Sequence, residues 1–139
     1  MVLDQGRGKA ALSIDGQASF VLRLPLEQPA DAIGFPIIIA EVVQSRLHAG
    51  LGFISEQLER LDPTHSLAHL GIAVRLSTAE HAIWRTRQEH DAHRGSVTLG
   101  WGQRERPTET QVIRRAELDL DRTPLIEDLV VRLAWQFEQ

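Results

Sequence analysis

The sequence contains no cysteine, which excludes disulfides, thiolate nucleophiles and cysteine-ligated zinc or iron–sulfur clusters within this chain. Lys9 is the single lysine, so Schiff-base chemistry has one candidate, close to the N-terminus. No apolar run approaches the roughly 18 residues that a membrane-spanning helix needs. The first residues lack the basic-then-apolar pattern of a signal peptide. We therefore expect a cytoplasmic protein that does not bind membranes.

A strongly basic balance is also missing, since the net charge of the chain is −4. This charge argues against a protein that binds nucleic acid through bulk electrostatics, although it leaves room for a local basic patch. The 139 residues, 42% of them hydrophobic, suffice for one ordinary core. We predict a single domain over residues 1–139, in which the polar, glycine-bearing residues 1–9 are flexible.

One long stretch, residues 36–61, has the apolar spacing of a helix face. Pro36 suits the first helical position, and Asp62-Pro63 ends the pattern because the residue before proline avoids the α region. About 26 residues would make a rod of roughly 39 Å. Alternatively Ile37–Ile39 is a short buried strand and the helix begins near Ala40. The apolar positions are Val43, Leu47, Leu51, Ile54, Leu58 and Leu61.

Two glycines weaken the middle of this helix by about 1 kcal/mol each relative to alanine. Gly50 and Gly52 can be read as positions where a neighbouring element packs closely. They can also be read as a hinge or as a helix–helix contact in a dimer.

Most other segments read as short strands joined by turns. Asp15-Gly16 predicts a hairpin turn between two alternating runs within Ala11 to Leu24. Further strands are predicted over Leu67 to Leu76, Ser96 to Trp101 and Thr110 to Leu118, the last as a sheet edge.

Residues 78–90 are ambiguous between a helix and a strand. Ser77-Thr78-Ala79-Glu80 fits a helix-capping box. A turn near Thr78–Glu80 followed by a strand over His81 to Arg87 fits slightly better, because isoleucine, tryptophan and threonine favour strands.

Thr123-Pro124 predicts the start of a final helix, with threonine as the cap and proline at the first position. Its apolar face comprises Ile126, Leu129, Val130, Leu133 and Phe137. The expected fold is α+β in two layers: a largely antiparallel sheet of about five strands, packed against one long central helix and a C-terminal helix.

Histidines are the residues that suggest a metal. His65 and His69 stand four apart, and His90 and His93 stand three apart beside Glu89 and Asp91. No HExxH motif is present, and these segments do not read as regular helices. We interpret the histidines as surface residues and predict neither a bound metal nor a cofactor.

Two candidate surfaces remain. A basic and aromatic surface that could stack bases or pair with phosphates would comprise Trp84, Arg85, Arg87, Arg94, Trp101, Arg104 and Arg106. A partner surface would comprise Gly50, Gly52, Trp135 and Phe137.

At HLGIAVRL followed by AIWRTRQEH, and again at LIEDLVVRLAWQ, the chain resembles the C-terminal regions of actinobacterial Schlafen-like (AlbA-type) ATP-binding proteins. The resemblance covers roughly the last half of the chain and rests on Trp84-Arg85-Thr86-Arg87 and the preceding strand. The nucleotide-binding part of that family has no counterpart here, so no ATP site is implied. The resemblance implies an accessory domain of a bacterial cytoplasmic system.

The sequence favours a non-enzymatic domain that binds a protein partner or forms a homo-oligomer. A nucleic-acid or nucleotide-binding module using the Trp84–Arg87 region is the second interpretation. A small hydrolase with an unrecognised site is the third, and no catalytic residue is assigned because no motif frames one.

Overall fold

The structure is a computed structural model, and it describes residues 2–5, 8–11, 37–76, 83–92 and 108–137. These residues contain both strands and helices. Their order is β1 (Val2–Gln5), β2 (Gly8–Ala11), β3 (Ile37–Ile39), α1 (Ala40–Leu61), β4 (His69–Ile72), β5 (Ile83–Arg85), α2 (Arg87–Ala92), β6 (Gln111–Arg114), α3 (Arg115–Asp119) and α4 (Thr123–Ala134). The mixed helix-and-strand class is therefore confirmed.

The central helix α1 is 22 residues long, or about 33 Å. It begins at Ala40, so the prediction of a helix from Pro36 is wrong and the alternative of a buried strand at Ile37–Ile39 is confirmed. All three isoleucines are almost completely buried. Their β-branched side chains favour extended backbone, and this preference prevails over the helix-starting signal of the proline.

The prediction of a five-stranded, largely antiparallel sheet is wrong for the described residues, which form three two-stranded sheets. β1 pairs with β2 and β4 pairs with β6, both antiparallel, whereas β3 pairs with β5 in parallel. A parallel pair needs a long crossover, and α1 lies in the connection between β3 and β5. The sequence suggested pairing between neighbouring strands, but here the helix separates two strands that pair.

At the N-terminus, β1 and β2 form an antiparallel pair in which Val2 lies opposite Ala11. Residues 1–9 were predicted to be flexible, and residues 2–5 and 8–9 of that stretch are strand residues of this pair. The predicted turn at Asp15-Gly16 and the predicted strand over residues 96–101 lie outside the described residues.

The ambiguous segment contains both a strand and a helix. Residues 83–85 form β5, which pairs with β3, and α2 starts at Arg87. Thr86 caps α2, because its Oγ1 accepts a hydrogen bond from the Glu89 N–H at 3.1 Å and donates to the Glu89 carboxylate at 3.1 Å. The predicted turn near Thr78–Glu80 lies outside the described residues.

The predicted strand over Thr110 to Leu118 is only half correct, because β6 ends at Arg114 and α3 begins at Arg115. Glu117 stabilises this helix start, since its carboxylate accepts a hydrogen bond from the Arg114 N–H at 2.7 Å. The adjacent residues Arg114 and Arg115 therefore mark the transition from strand to helix.

The C-terminal helix α4 is confirmed, with Pro124 in its first turn. Thr123 is the first helical residue and Arg122 occupies the cap position, so the predicted cap is one residue out. α4 packs against α1, and α3 also contacts α1. The fully buried residues at the centre of this core are Leu58, Leu118, Ile126, Leu129 and Leu133.

In β4 the predicted core residues Leu70 and Ile72 are half-buried, and Leu76 beyond the strand is buried, as the alternation predicts. Within the described ranges, no helix has the length and apolar character required to cross a membrane.

Candidate functional site

The basic and aromatic surface predicted around Trp84 is only partly described, because Arg94, Trp101, Arg104 and Arg106 lie outside the described residues. Trp84 is half-buried, and its ring centroid lies 5.5 Å from that of Phe137 with the planes tilted by 34°. Arg85 is 6% exposed. Arg87 is exposed, and its backbone N–H donates to the Glu41 carboxylate at 2.8 Å. Of the described members, Arg87 alone is exposed.

The four residues predicted as a partner surface lie in different environments. Gly50 is buried. A Cβ placed on Gly52 would lie 2.8 Å from Nη1 of Arg122, so the guanidinium of Arg122 covers this glycine. Phe137 packs against Trp84 and the core, whereas Trp135 is 61% exposed. The structure therefore leaves Trp135 as the exposed member of the predicted surface.

A second exposed apolar side chain lies one helical turn before Trp135. Val131 is 46% exposed, and the Trp135 N–H donates to the Val131 carbonyl at 3.1 Å. Residues four apart lie on the same face of a helix, so Val131 and Trp135 form one surface, here called the α4 patch. Arg132 and Asp128 form an ion pair of 2.8 Å beside it. The sequence analysis missed Val131, which the apolar i, i+4 spacing with Trp135 could have indicated.

A polar cluster lies where α1 ends and α3 begins, and its centre is Arg115. The Arg115 side chain is 3% exposed. Its Nη1 donates to the Asp62 carboxylate at 2.6 Å and to the Asp62 carbonyl at 3.1 Å. Its Nη2 donates to the Glu59 carboxylate at 3.4 Å, and its Nε lies 3.4 Å from Asp119 Oδ2. One buried cation thus contacts three carboxylates.

Asp62 also organises the turn after α1. Its carboxylate accepts hydrogen bonds from the Ser66 hydroxyl, from the Ser66 N–H at 3.0 Å and from the Leu67 N–H at 2.9 Å. These bonds, led by the Ser66 hydroxyl and the Leu67 N–H and assisted by the charge of Arg115, lower the pKa of Asp62 from 3.8 to about 2. Desolvation raises the pKa of Asp62 and offsets part of this effect. Because its pKa is lowered to about 2, Asp62 is ionised in the folded protein at neutral pH.

His65 lies at the open side of the same cluster. Its Nε2 is 3.0 Å from Glu59 Oε2, and its backbone φ is 54°, a left-handed conformation that few non-glycine residues adopt. Metal-ligating atoms of Glu59, His65 and Asp119 all lie within 4.8 Å of one another. The sequence analysis considered His65 together with His69 and interpreted both as surface residues. It did not indicate this group, because the other members are carboxylates on two helices that are distant in sequence.

Of the other two closely spaced histidines, His93 lies outside the described residues. His90 lies in α2, and its Nδ1 is buried without a hydrogen-bond partner in the described part of the chain.

The cluster does not have the connectivity of a serine hydrolase. Ser55 donates directly to Asp119 Oδ1 at 2.6 Å, and His65 faces Glu59. A catalytic serine would instead donate to a histidine that a carboxylate orients. The described hydrogen bonds hold the carboxylates of Asp119 and Glu59 in position, and they do not activate the hydroxyl of Ser55.

Comparisons with known proteins add no family: no protein-family model, curated protein or solved structure matches this chain.

Proposed function

We propose that this chain is a non-enzymatic protein-interaction domain, and that it associates with a second copy of itself through the α4 patch. The supporting observation is the exposure of Trp135, at 61%, directly after Val131, at 46%. Tryptophan is enriched where proteins contact one another, because its large ring contributes apolar area at low conformational cost. The role in a bacterial cytoplasmic system is part of the same proposal and is supported by the sequence resemblance in the last half of the chain.

A second copy is the proposed partner because the α4 patch can be complementary to itself. In a two-fold symmetric contact both copies use the same surface. If one residue of the first copy contacts another residue of the second, the reverse contact forms as well. Two α4 helices packed antiparallel would place Val131 of one copy against Trp135 of the other. The Asp128–Arg132 ion pair, whose side chains are 42% and 34% exposed, would then lie at the polar rim.

The contact is expected to be weak. A stable interface buries about 800 Å² per partner, and two partly exposed side chains supply only a fraction of that area. We therefore expect association in the micromolar range or weaker, which would be measurable at high protein concentration.

Sedimentation velocity over a wide concentration range tests the proposal. We expect the weight-average mass to rise with concentration, and we expect Trp135→Glu to abolish the rise because it places a charge in an apolar contact. Leu120→Glu is the matched control, since Leu120 is 86% exposed and precedes α4 whereas Trp135 follows it. Far-UV circular dichroism checks that both variants fold.

A chain that stays monomeric at the highest concentration would refute self-association. A concentration dependence that Leu120→Glu removes and Trp135→Glu preserves would refute the α4 patch as its surface.

A further inference from the structure

Three potential metal ligands converge from three separate segments of the fold. Glu59 lies in the last turn of α1, His65 in the loop that follows it, and Asp119 at the end of α3. We propose that these three side chains bind a Zn²⁺ ion. The proposed site shares no residue with the α4 patch, so it does not depend on the proposed self-association.

The distances suit a common coordination shell. Zinc binds imidazole nitrogen and carboxylate oxygen at about 2.0–2.2 Å, so adjacent ligand atoms of a tetrahedral site lie about 3.3–3.6 Å apart. His65 Nε2 and Glu59 Oε2 are 3.0 Å apart, and the ligand atom of Asp119 lies within 4.8 Å of both. A rotation of the Asp119 side chain would complete the site. On binding, the ion would take the place of the hydrogen bond between His65 and Glu59, and His65 would bind it through Nε2 as a neutral imidazole whose proton is on Nδ1.

Both carboxylates are held in place by outer partners, as metal ligands usually are. The Ser55 hydroxyl donates to Asp119 Oδ1, and Arg115 Nη2 donates to Glu59 Oε2. Arg115 Nε, which is buried, has no hydrogen-bond partner among the described residues and lies 3.4 Å from Asp119 Oδ2. A carboxylate that turned to bind an ion could bring an oxygen onto this donor, because each oxygen has a second lone pair.

The charge of the cluster favours a divalent cation. Glu59, Asp62 and Asp119 carry three negative charges, and Arg115 supplies one positive charge in contact with all of them. The three carboxylates and Arg115 together give a formal charge of −2. Asp62 is fully engaged by Arg115 and the turn, so the uncompensated charge resides on the two proposed ligands.

The ligand types select the class of metal. Magnesium and calcium prefer sites made of oxygen atoms alone, whereas imidazole suits zinc and its transition-metal neighbours. The Glu59 and His65 side chains are 59% and 50% exposed. This exposure gives the ion a path from solvent and leaves room for water as a fourth ligand.

The experiment is a titration of the tag-free full chain with ZnCl₂, by isothermal calorimetry and by competition with a chromophoric chelator. We expect one zinc per chain, and no binding of Mg²⁺ or Ca²⁺ under the same conditions. His65→Asn is the main variant, because asparagine tolerates the left-handed backbone at this position. Its zinc affinity should fall about tenfold or more, as should that of Glu59→Gln.

His69→Ala is the matched control, since His69 is an exposed histidine four residues along the chain. Its zinc affinity should equal that of the unmodified chain. Absence of stoichiometric zinc in the unmodified chain would overturn the proposal. Loss of binding in His69→Ala with retention in His65→Asn would also overturn it. Circular dichroism of each variant distinguishes a lost ligand from a lost fold.

Discussion

Replacing Gly52 with alanine tests whether Arg122 occupies the space above this glycine. Alanine in a helix interior is favoured over glycine by about 1 kcal/mol, so an uncovered Gly52 would give a stabilised variant. The structure predicts otherwise. The new Cβ would lie 2.8 Å from Arg122 Nη1 and 3.7 Å from its Cζ, and real Cβ atoms do not approach other atoms as closely as the first distance.

The size of the effect depends on what the guanidinium loses when it moves. Arg122 Nε donates to the Leu118 carbonyl at 3.0 Å. A hydrogen bond from a charged group contributes about 1.5–3 kcal/mol, and less where solvent competes, as it does at this half-buried side chain. Displacement of Arg122 therefore offsets the helix-propensity gain. We expect Gly52→Ala to be neutral or destabilising by up to about 1 kcal/mol.

The decisive measurement is a double-mutant cycle with Arg122→Ala, using urea denaturation followed by circular dichroism. Without Arg122, Gly52→Ala should stabilise the chain by about 1 kcal/mol, so the coupling free energy should be about 1–2 kcal/mol. Ser45→Ala is the control, because Ser45 is an exposed α1 residue and its effect should add to that of Arg122→Ala within about 0.5 kcal/mol.

Equal stabilisation by Gly52→Ala in both backgrounds would refute the reasoning. It would mean that Arg122 does not cover Gly52, and Gly52 would again be available as part of a helix–helix contact between copies.

Three further predictions follow from the core and the caps. The pKa of Asp62 is lower in the folded chain, at about 2, than its ordinary value of 3.8, so its ionised form stabilises the fold above pH 3.8 and this contribution is lost as the pH falls towards 2. Urea denaturation across this range should show the stability difference between the unmodified chain and Asp62→Asn shrinking as the pH falls, and a constant difference would contradict it. Leu129→Ala, at a fully buried site, should cost about 2–5 kcal/mol in urea denaturation, and half-buried Val130→Ala should cost clearly less. Glu117→Ala removes the acceptor of the Arg114 N–H and should cost about 0.5–2 kcal/mol, with faster hydrogen exchange at that amide; unchanged exchange would count against the cap.

The elements that the sequence predicted well are those with strong local periodicity. The apolar spacing of Val43, Leu47, Leu51 and Leu58 identified α1, and Pro124 located the start of α4 within one residue. Helix faces depend on residues three and four apart, so a single sequence is enough to show them.

Strand pairing was not predictable in the same way. Ile38 pairs with Trp84 across the whole of α1, and no local feature of either segment specifies the other as its partner. The transition from β6 to α3 failed for a related reason. Arg115 is buried because Asp62, 53 residues away, neutralises it, whereas its sequence neighbours indicate an exposed strand edge.

The candidate sites also differ in whether their residues are close together or far apart in the sequence. Trp135 was predicted from the composition of the C-terminal helix. The group of Glu59, His65 and Asp119 joins residues up to 60 positions apart, and it becomes visible only when α1 and α3 are in contact.

The parallel pairing of β3 with β5 has a consequence for synthesis of the chain. The three isoleucines of β3 leave the ribosome roughly 45 residues before β5, the strand with which they pair. At ordinary elongation rates this interval is about 2–9 s. During that time these three β-branched, uncharged residues have no strand partner, and charged flanking residues reduce the tendency of apolar strand segments to aggregate. Glu41 lies two residues after β3, and in the finished fold its carboxylate accepts the N–H of Arg87 at 2.8 Å, two residues after β5. The same carboxylate thus carries charge beside the isoleucines in the nascent chain and joins the ends of the two strands once both have been made.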